Sequence, residues 1–191
     1  TGMDYLGESG IGYSEYQKDD KEEWMSLPGW PWFNAWCGDI DLIGNKKPQS
    51  LYRDVVWHNS ELEILVHEPI PVKKFEHISY WGWPKELNHW NWNGKEGDTL
   101  SVNVYSSCSK VKLELNGKII GEKKIDQETG ITATFKVPYQ KGELKATGIK
   151  TDNTTMSKIL KTAGKPAKLI LKTERHTLKA DRNEIVYIHV S

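Results

Sequence analysis

Two groups of side chains near the start of the chain have the types that do chemistry. Glu8, Glu15, Glu22 and Glu23 are carboxylates in a stretch rich in Gly, Trp and Pro. Paired carboxyl groups can share acid and base roles. The simplest reading of these four is solvated loop carboxylates, because ionised Glu is rarely buried without a partner. The second group is aromatic: Trp24, Trp30, Trp32, Phe33 and Trp36. A flat indole covers the C–H face of a sugar ring while its N–H stays free to bond. The same rings serve equally as packing at a junction between domains, since aromatics dominate interface cores. Both readings of the aromatic loop stand on the residues alone.

Other chemistries fail on spacing. Gly7-Glu8-Ser9-Gly10-Ile11 is not a nucleophile elbow, because the last position is Ile where glycine is needed. Gly7, Gly10 and Gly12 do not give the dinucleotide-binding glycine pattern, and no βαβ unit follows. The six His are scattered, and Cys37 and Cys108 stand far apart, so neither a zinc site nor a disulfide framework has support.

The elements that must position these residues differ between the two halves of the chain. Lys+Arg 26 against Asp+Glu 26 leaves a formal net charge of zero, which argues against a dedicated nucleic-acid binder. No apolar run reaches the roughly 18–20 residues of a membrane helix. Yet all nine Trp lie between Trp24 and Trp92. Residues 1–92 carry 8 basic and 15 acidic side chains, and the remainder carry 18 and 11. Such a change in aromatic content and charge sign marks unlike pieces joined together.

Residues 1–48 show little periodicity, with Gly2, Gly7, Gly10 and Gly12 at the start and Pro28 and Pro31 in the middle. Pro48 then opens a helix, with Leu51, Tyr52, Val55 and Val56 on one apolar face. From Glu61 the period becomes two. Leu62, Ile64 and Val66 alternate with other residues, as do Leu100, Val102 and Val104, and Val111, Leu113 and Leu115. Asn116-Gly117 is the type I′ dipeptide of a tight hairpin, and Ile119 begins the return strand. Further strands are predicted over 131–137, 143–149 and 156–161. Trp81, Trp83, Trp90 and Trp92 alternate, and read as sandwich core and inter-domain contact. Seven short strands with turns between them predict an immunoglobulin-like antiparallel β-sandwich, a mainly β fold. Gly164-Lys165-Pro166 reads as a linker. Strands over 167–173 and 184–190 cannot bury a core as a pair, and they read as the opening of a further sandwich.

The order of several motifs carries a resemblance. Thr1-Gly2-Met3-Asp4-Tyr5-Leu6-Gly7-Glu8 precedes the Trp-rich loop, followed by Trp36-Cys37-Gly38-Asp39-Ile40-Asp41-Leu42-Ile43-Gly44, Pro48-Gln49-Ser50-Leu51-Tyr52 and Trp57. This resembles the last strand–loop–helix unit of the (β/α)₈ barrel in glycoside hydrolase family 2, the β-galactosidase-like enzymes. Tyr80-Trp81-Gly82-Trp83-Pro84, His89-Trp90-Asn91-Trp92 and Pro138-Tyr139-Gln140-Lys141-Gly142-Glu143-Leu144 resemble the sandwich that follows the barrel in bacterial members. Residues 167–191 resemble the opening of their next immunoglobulin-like domain. The resemblance implies three parts: 1–57, the C-terminal part of the catalytic barrel; 58–163, an immunoglobulin-like sandwich; and 164–191, the first strands of a further such domain.

The family's members are retaining glycosidases, which use two carboxyl groups about 5–5.5 Å apart. Both glutamates sit on earlier barrel strands, so the resemblance places no catalytic residue in this chain. It implies instead that the chain supplies the rim of the site. Asp4 is placed at the end of the eighth strand, where it holds the sugar-binding floor or caps local backbone. Trp32, Phe33 and Trp36 are the remaining candidate substrate contacts. Asn45-Lys46-Lys47 looks like the Asn–Lys pair by which family β-glucuronidases grip a sugar carboxylate. In those enzymes the pair precedes the glycine that corresponds to Gly38, where this chain has Asn34-Ala35-Trp36-Cys37. That departure favours a neutral hexose such as galactose. Family members hold Mg²⁺ or Na⁺ near the barrel mouth, but no ligand cluster here assigns a cofactor. The implied partners are a carbohydrate substrate and the rest of the barrel, with no nucleic acid and no membrane segment. The implied location is the periplasm or cell surface. A rival reading is a non-catalytic carbohydrate-binding module, and a third is a structural spacer; saturable sugar binding separates them.

Overall fold

The computed structural model describes residues 11–15, 38–40, 44–78, 82–126, 128–180 and 182–190. Its centre is a pair of four-stranded antiparallel sheets. The first is built from β2 (Leu62–His67), β4 (Glu86–Leu87), β5 (Thr99–Ser106) and β8 (Thr132–Pro138), in the order β4-β2-β5-β8. The second is built from β6 (Lys110–Leu115), β7 (Lys118–Lys124), β9 (Glu143–Ile149) and β10 (Thr155–Lys161), in the order β10-β9-β6-β7.

Alternation is what brings these sheets face to face. Cross-strand pairing sets Ile64 opposite Val104, Val102 opposite Phe135, and Leu100 opposite Val137. On the other sheet Leu113 faces Ala146, and Leu115 faces Leu144. All of these belong to one buried cluster, and a one-residue slip would turn every one of them outward. The hairpin between β6 and β7 turns at Asn116 and Gly117, both with positive φ (51° and 79°) as a type I′ turn requires. Trp90, Trp92 and Tyr139 join the same cluster. Trp90 and Tyr139 meet edge-on at 5.0 Å, Trp90 Nε1 donates to the Gln140 carbonyl at 2.9 Å, and the Trp92 amide donates to the Tyr139 hydroxyl at 3.1 Å. So these two tryptophans are core, as their spacing predicts; Trp81 lies outside the described residues.

The helix α1 (Pro48–Val56) covers the outer face of the first sheet. Val55 joins Leu65 and Tyr105 in a second buried cluster, with Leu51, Tyr52 and Ile131 packed against it. Leu51, Tyr52 and Val55 therefore do form the apolar face, whereas Val56 is 43% exposed on the other side. β2 is buried on both faces because it is sandwiched between the core and this helix.

Two small ribbons flank the sandwich. β1 (Ile11–Ser14) pairs with β3 (Phe75–Ile78), and β11 (Leu171–Thr173) pairs with β12 (Ile188–Val190), both antiparallel. β1 lies beyond Asp4, where the resemblance ends the eighth barrel strand, and Ile11–Ser14 is too short to show a period of its own. The last two strands are shorter than predicted. Leu169, Leu171, Ile185, Tyr187, Ile188 and Val190 are each more than half exposed, so among the described residues no core supports extension of the ribbon. No helix among the described residues is long and apolar enough to cross a membrane.

Candidate functional site

The loop before α1 is tied to it by charge. Arg53 pairs with Asp39, and Lys46 Nζ reaches Asp54 Oδ2 at 2.5 Å. Gln49 Nε2 donates to the Gly38 carbonyl at 2.7 Å, and the Lys47 amide donates to the Asp39 carbonyl at 2.8 Å. Lys47 itself is buried at the N-cap of the helix, which Pro48 opens. Lys46 and Lys47 of the Asn45-Lys46-Lys47 triplet thus serve local architecture.

Beneath α1 lies a buried polar network. Glu86, 1% exposed, accepts from the Tyr105 hydroxyl at 2.8 and 2.9 Å, from the Asn103 amide, and from Trp83 Nε1 at 3.3 Å. Thr134 Oγ1 donates to Asn103 Oδ1 at 2.6 Å. Tyr52 of the helix closes the network from above, 5.0 Å from both the Trp83 and Tyr105 rings. Burial, followed by the charge of Glu86, pushes the Tyr105 phenol well above its ordinary range, so it remains a donor.

A second polar cluster joins the β1–β3 ribbon to the first sheet. His67 Nε2 lies 2.9 Å from Glu76 Oε2, and His67 Nδ1 lies 2.7 Å from the Glu68 carbonyl. The Glu68 carboxylate takes Lys85 Nζ at 3.0 Å and the Tyr13 hydroxyl at 3.4 Å. The hydrogen bond to Glu76 raises the pKa of His67 above 6.5 against an opposing burial effect. Nearby, burial lowers that of His89.

These carboxylates are committed. Glu86 has three donor groups, Asp39 and Asp54 have cations, and Glu63 is held by Lys158 at 2.6 Å and Ser60 Oγ at 2.8 Å. A general acid or nucleophile must instead face its substrate, so these groups serve structure. Glu15 is 80% exposed, with Lys74 at 3.3 Å, a solvated loop carboxylate. Glu8, Glu22 and Glu23 lie outside the described residues. So do Asp4, Trp32, Phe33 and Trp36, together with Trp24 and Trp30. Among the described residues no group of His, Cys, Asp and Glu could hold a metal ion, and Cys108 is a free, buried thiol. Among the described residues, a surface depression of about 680 Å³ runs past His58, Ser107, Ile125 and Lys150.

No motif or spacing in the sequence names the Glu86 and His67 clusters. A signal for the first was present: Leu65 and Tyr105 put large side chains on the nominally polar face of their strands, marking that face as covered. The His67–Glu76 pair left none, since it depends on a ribbon whose strands are too short to read.

Comparisons with known proteins bear on this geometry. A family model described as "Domain of unknown function (DUF4982)" matches residues 97–156. The chain is 26% identical over 191 residues to Beta-galactosidase BoGH2A of Bacteroides ovatus, covering all of this chain and 18% of that protein. It is 33% identical over 86 residues to a beta-glucuronidase of Formosa agariphila, covering 44% of this chain and 8% of that protein. A glycosyl hydrolase family 2 member from Bacteroides cellulosilyticus has a similar structure, with TM-score 0.70 and 34% identity over 84% of this chain and 21% of that one. The chain thus spans less than a fifth of the length of these two curated relatives. By these relatives and structural neighbours, the chain is related to glycoside hydrolase family 2 and matches one segment of its much longer members.

Proposed function

We propose that this chain is a segment of a retaining, β-galactosidase-like glycoside hydrolase that removes a terminal β-linked neutral hexose. Residues 1–57 close the catalytic (β/α)₈ barrel, 58–163 form an immunoglobulin-like sandwich behind it, and 164–191 open a further domain of that type. The catalytic glutamates lie on barrel strands outside this chain. Asp4, Trp32, Phe33 and Trp36 contribute to the rim of the sugar site. Retaining chemistry then proceeds through a covalent glycosyl-enzyme, with one carboxyl group as nucleophile and the other as acid and then base.

The observation that carries this reading is the seating of α1 on the sandwich, in a chain 34% identical to a family 2 member over most of its length. A helix fixed to the first sheet by Val55, Leu65 and Tyr105 ties Gly38 and Asp39, through Gln49 and Arg53, to the sandwich. The neutral-hexose assignment is supported by the engagement of Lys46 with Asp54 and the burial of Lys47, which leave the triplet unsuited to grip a sugar carboxylate. A binding module displaying tryptophan would have to use rings other than Trp90 and Trp92, which are core. Turnover of nitrophenyl β-galactoside and β-glucuronide by the intact enzyme tests the reading. Preference for the galactoside is expected, and preference for the glucuronide overturns the sugar assignment.

A further inference from the structure

The β1–β3 ribbon is docked with little apolar burial. Phe75 and Ile78 are each more than two-fifths exposed, and Val72, just before the strand, is 84% exposed. Among the described residues it is tied to the sandwich by polar side chains: Tyr13 to Glu68 at 3.4 Å, and Glu76 to His67 at 2.9 Å. The second tie has a distinctive geometry. Both ring nitrogens of His67 face acceptors, a backbone carbonyl and a carboxylate. A neutral imidazole has one donor and one acceptor nitrogen, so only the imidazolium fills both bonds. Glu76 is equally dependent. Its Oε1 is buried without a hydrogen-bond partner, and among the described residues His67 is the cation paired with its other oxygen.

We propose that His67 and Glu76 form a proton-controlled clasp: the β1–β3 ribbon is docked on the sandwich while His67 is protonated and is released when His67 becomes neutral. Loss of the proton turns one nitrogen into an acceptor facing an acceptor and leaves a nearly buried carboxylate without its cation, which is costly in a low-dielectric setting. Release restores water to both groups.

The other charges facing His67 favour the imidazolium or titrate elsewhere. Glu86 on β4 and the Glu68 carbonyl just after β2 act in its favour. Lys85 is spent on Glu68, and Tyr13 on β1 donates to that same carboxylate. Lys, Tyr and carboxylate groups change charge far from neutrality, whereas His changes between about pH 5 and about pH 8. His89, beside Glu68 in charge terms, is shifted the opposite way by burial. The sign follows from linkage. A pKa raised above 6.5 in the docked state gives stability that is complete at lower pH and is lost as pH rises through the docked-state value. The clasp concerns the ribbon alone and does not depend on the glycosidase reading.

Hydrogen exchange of the chain from about pH 5 to about pH 9, expressed as protection factors, tests the clasp. The amides of residues 75–78 are expected to lose up to about tenfold in protection per pH unit above neutrality, while those of β5 and β8 hold. Glu76→Gln is expected to flatten that profile at its low-protection end, and His77→Gln to leave it intact. Constant protection in β3 across the range overturns the proposal, without any variant being needed. So does an unchanged profile in Glu76→Gln, or one abolished by His77→Gln.

Discussion

Replacing Tyr105 with Phe isolates one hydroxyl in the network beneath α1. The ring stays, and with it the edge-on contact to Tyr52 at 5.0 Å. What is lost is the donor lying 2.8 and 2.9 Å from the two oxygens of Glu86. That carboxylate is 1% exposed and cannot recruit bulk water in exchange. A hydrogen bond to a charged group is worth about 1.5–3 kcal/mol. Asn103 and Trp83 continue to donate, which places the expected loss near the middle, at about 2 kcal/mol. For a chain of this length that corresponds to a fall in Tm of about 4–8 °C. Urea unfolding followed by tryptophan fluorescence reads the change, since Trp90 and Trp92 are buried in the core. Pairing the substitution with Glu86→Gln in a double-mutant cycle should give a coupling of about 1 kcal/mol or more, because the two groups touch. If Tyr105→Phe lies within about 0.5 kcal/mol of the parent, as an ordinary surface change does, the network does not hold the helix side of the sheet together.

Leu65→Ala removes the fully buried side chain on which Val55 rests and should cost about 2–5 kcal/mol by urea unfolding; a loss below about 1 kcal/mol would mean that α1 is not seated there. A Cβ on Gly148 would stand 2.8 Å from Cys108 Sγ, so Gly148→Ala should destabilise by about 1–3 kcal/mol, and Cys108→Ala in the same chain should recover part of that loss. Equal cost with and without the thiol would place the strain elsewhere.

The sandwich was legible because its physics is periodic. Leu100, Val102 and Val104, or Val111, Leu113 and Leu115, need only a two-residue repeat to declare one buried face. Asn116-Gly117 named the hairpin because few residues accept positive φ twice in succession. Alternation breaks down where a second layer covers the strand. Leu65 occupies a polar slot on β2 because α1 lies over it, and that relation is invisible within a six-residue window. Glu86 sits on a strand of two residues, too short for any pattern, and its partners come from positions 83, 103 and 105. The ribbon of β1 and β3 brings residue 13 opposite residue 76, a separation no local rule reaches. Asp4, Trp32, Phe33 and Trp36 rest on the order of motifs alone.

The central claim is that this chain shapes a glycosidase without supplying its catalytic carboxylates. Turnover of nitrophenyl β-galactoside by purified residues 1–191, set against the intact enzyme at equal concentration, measures it most directly. The account predicts hydrolysis by the intact enzyme and none above the buffer rate by the 191-residue chain. Turnover by that chain alone would contradict it.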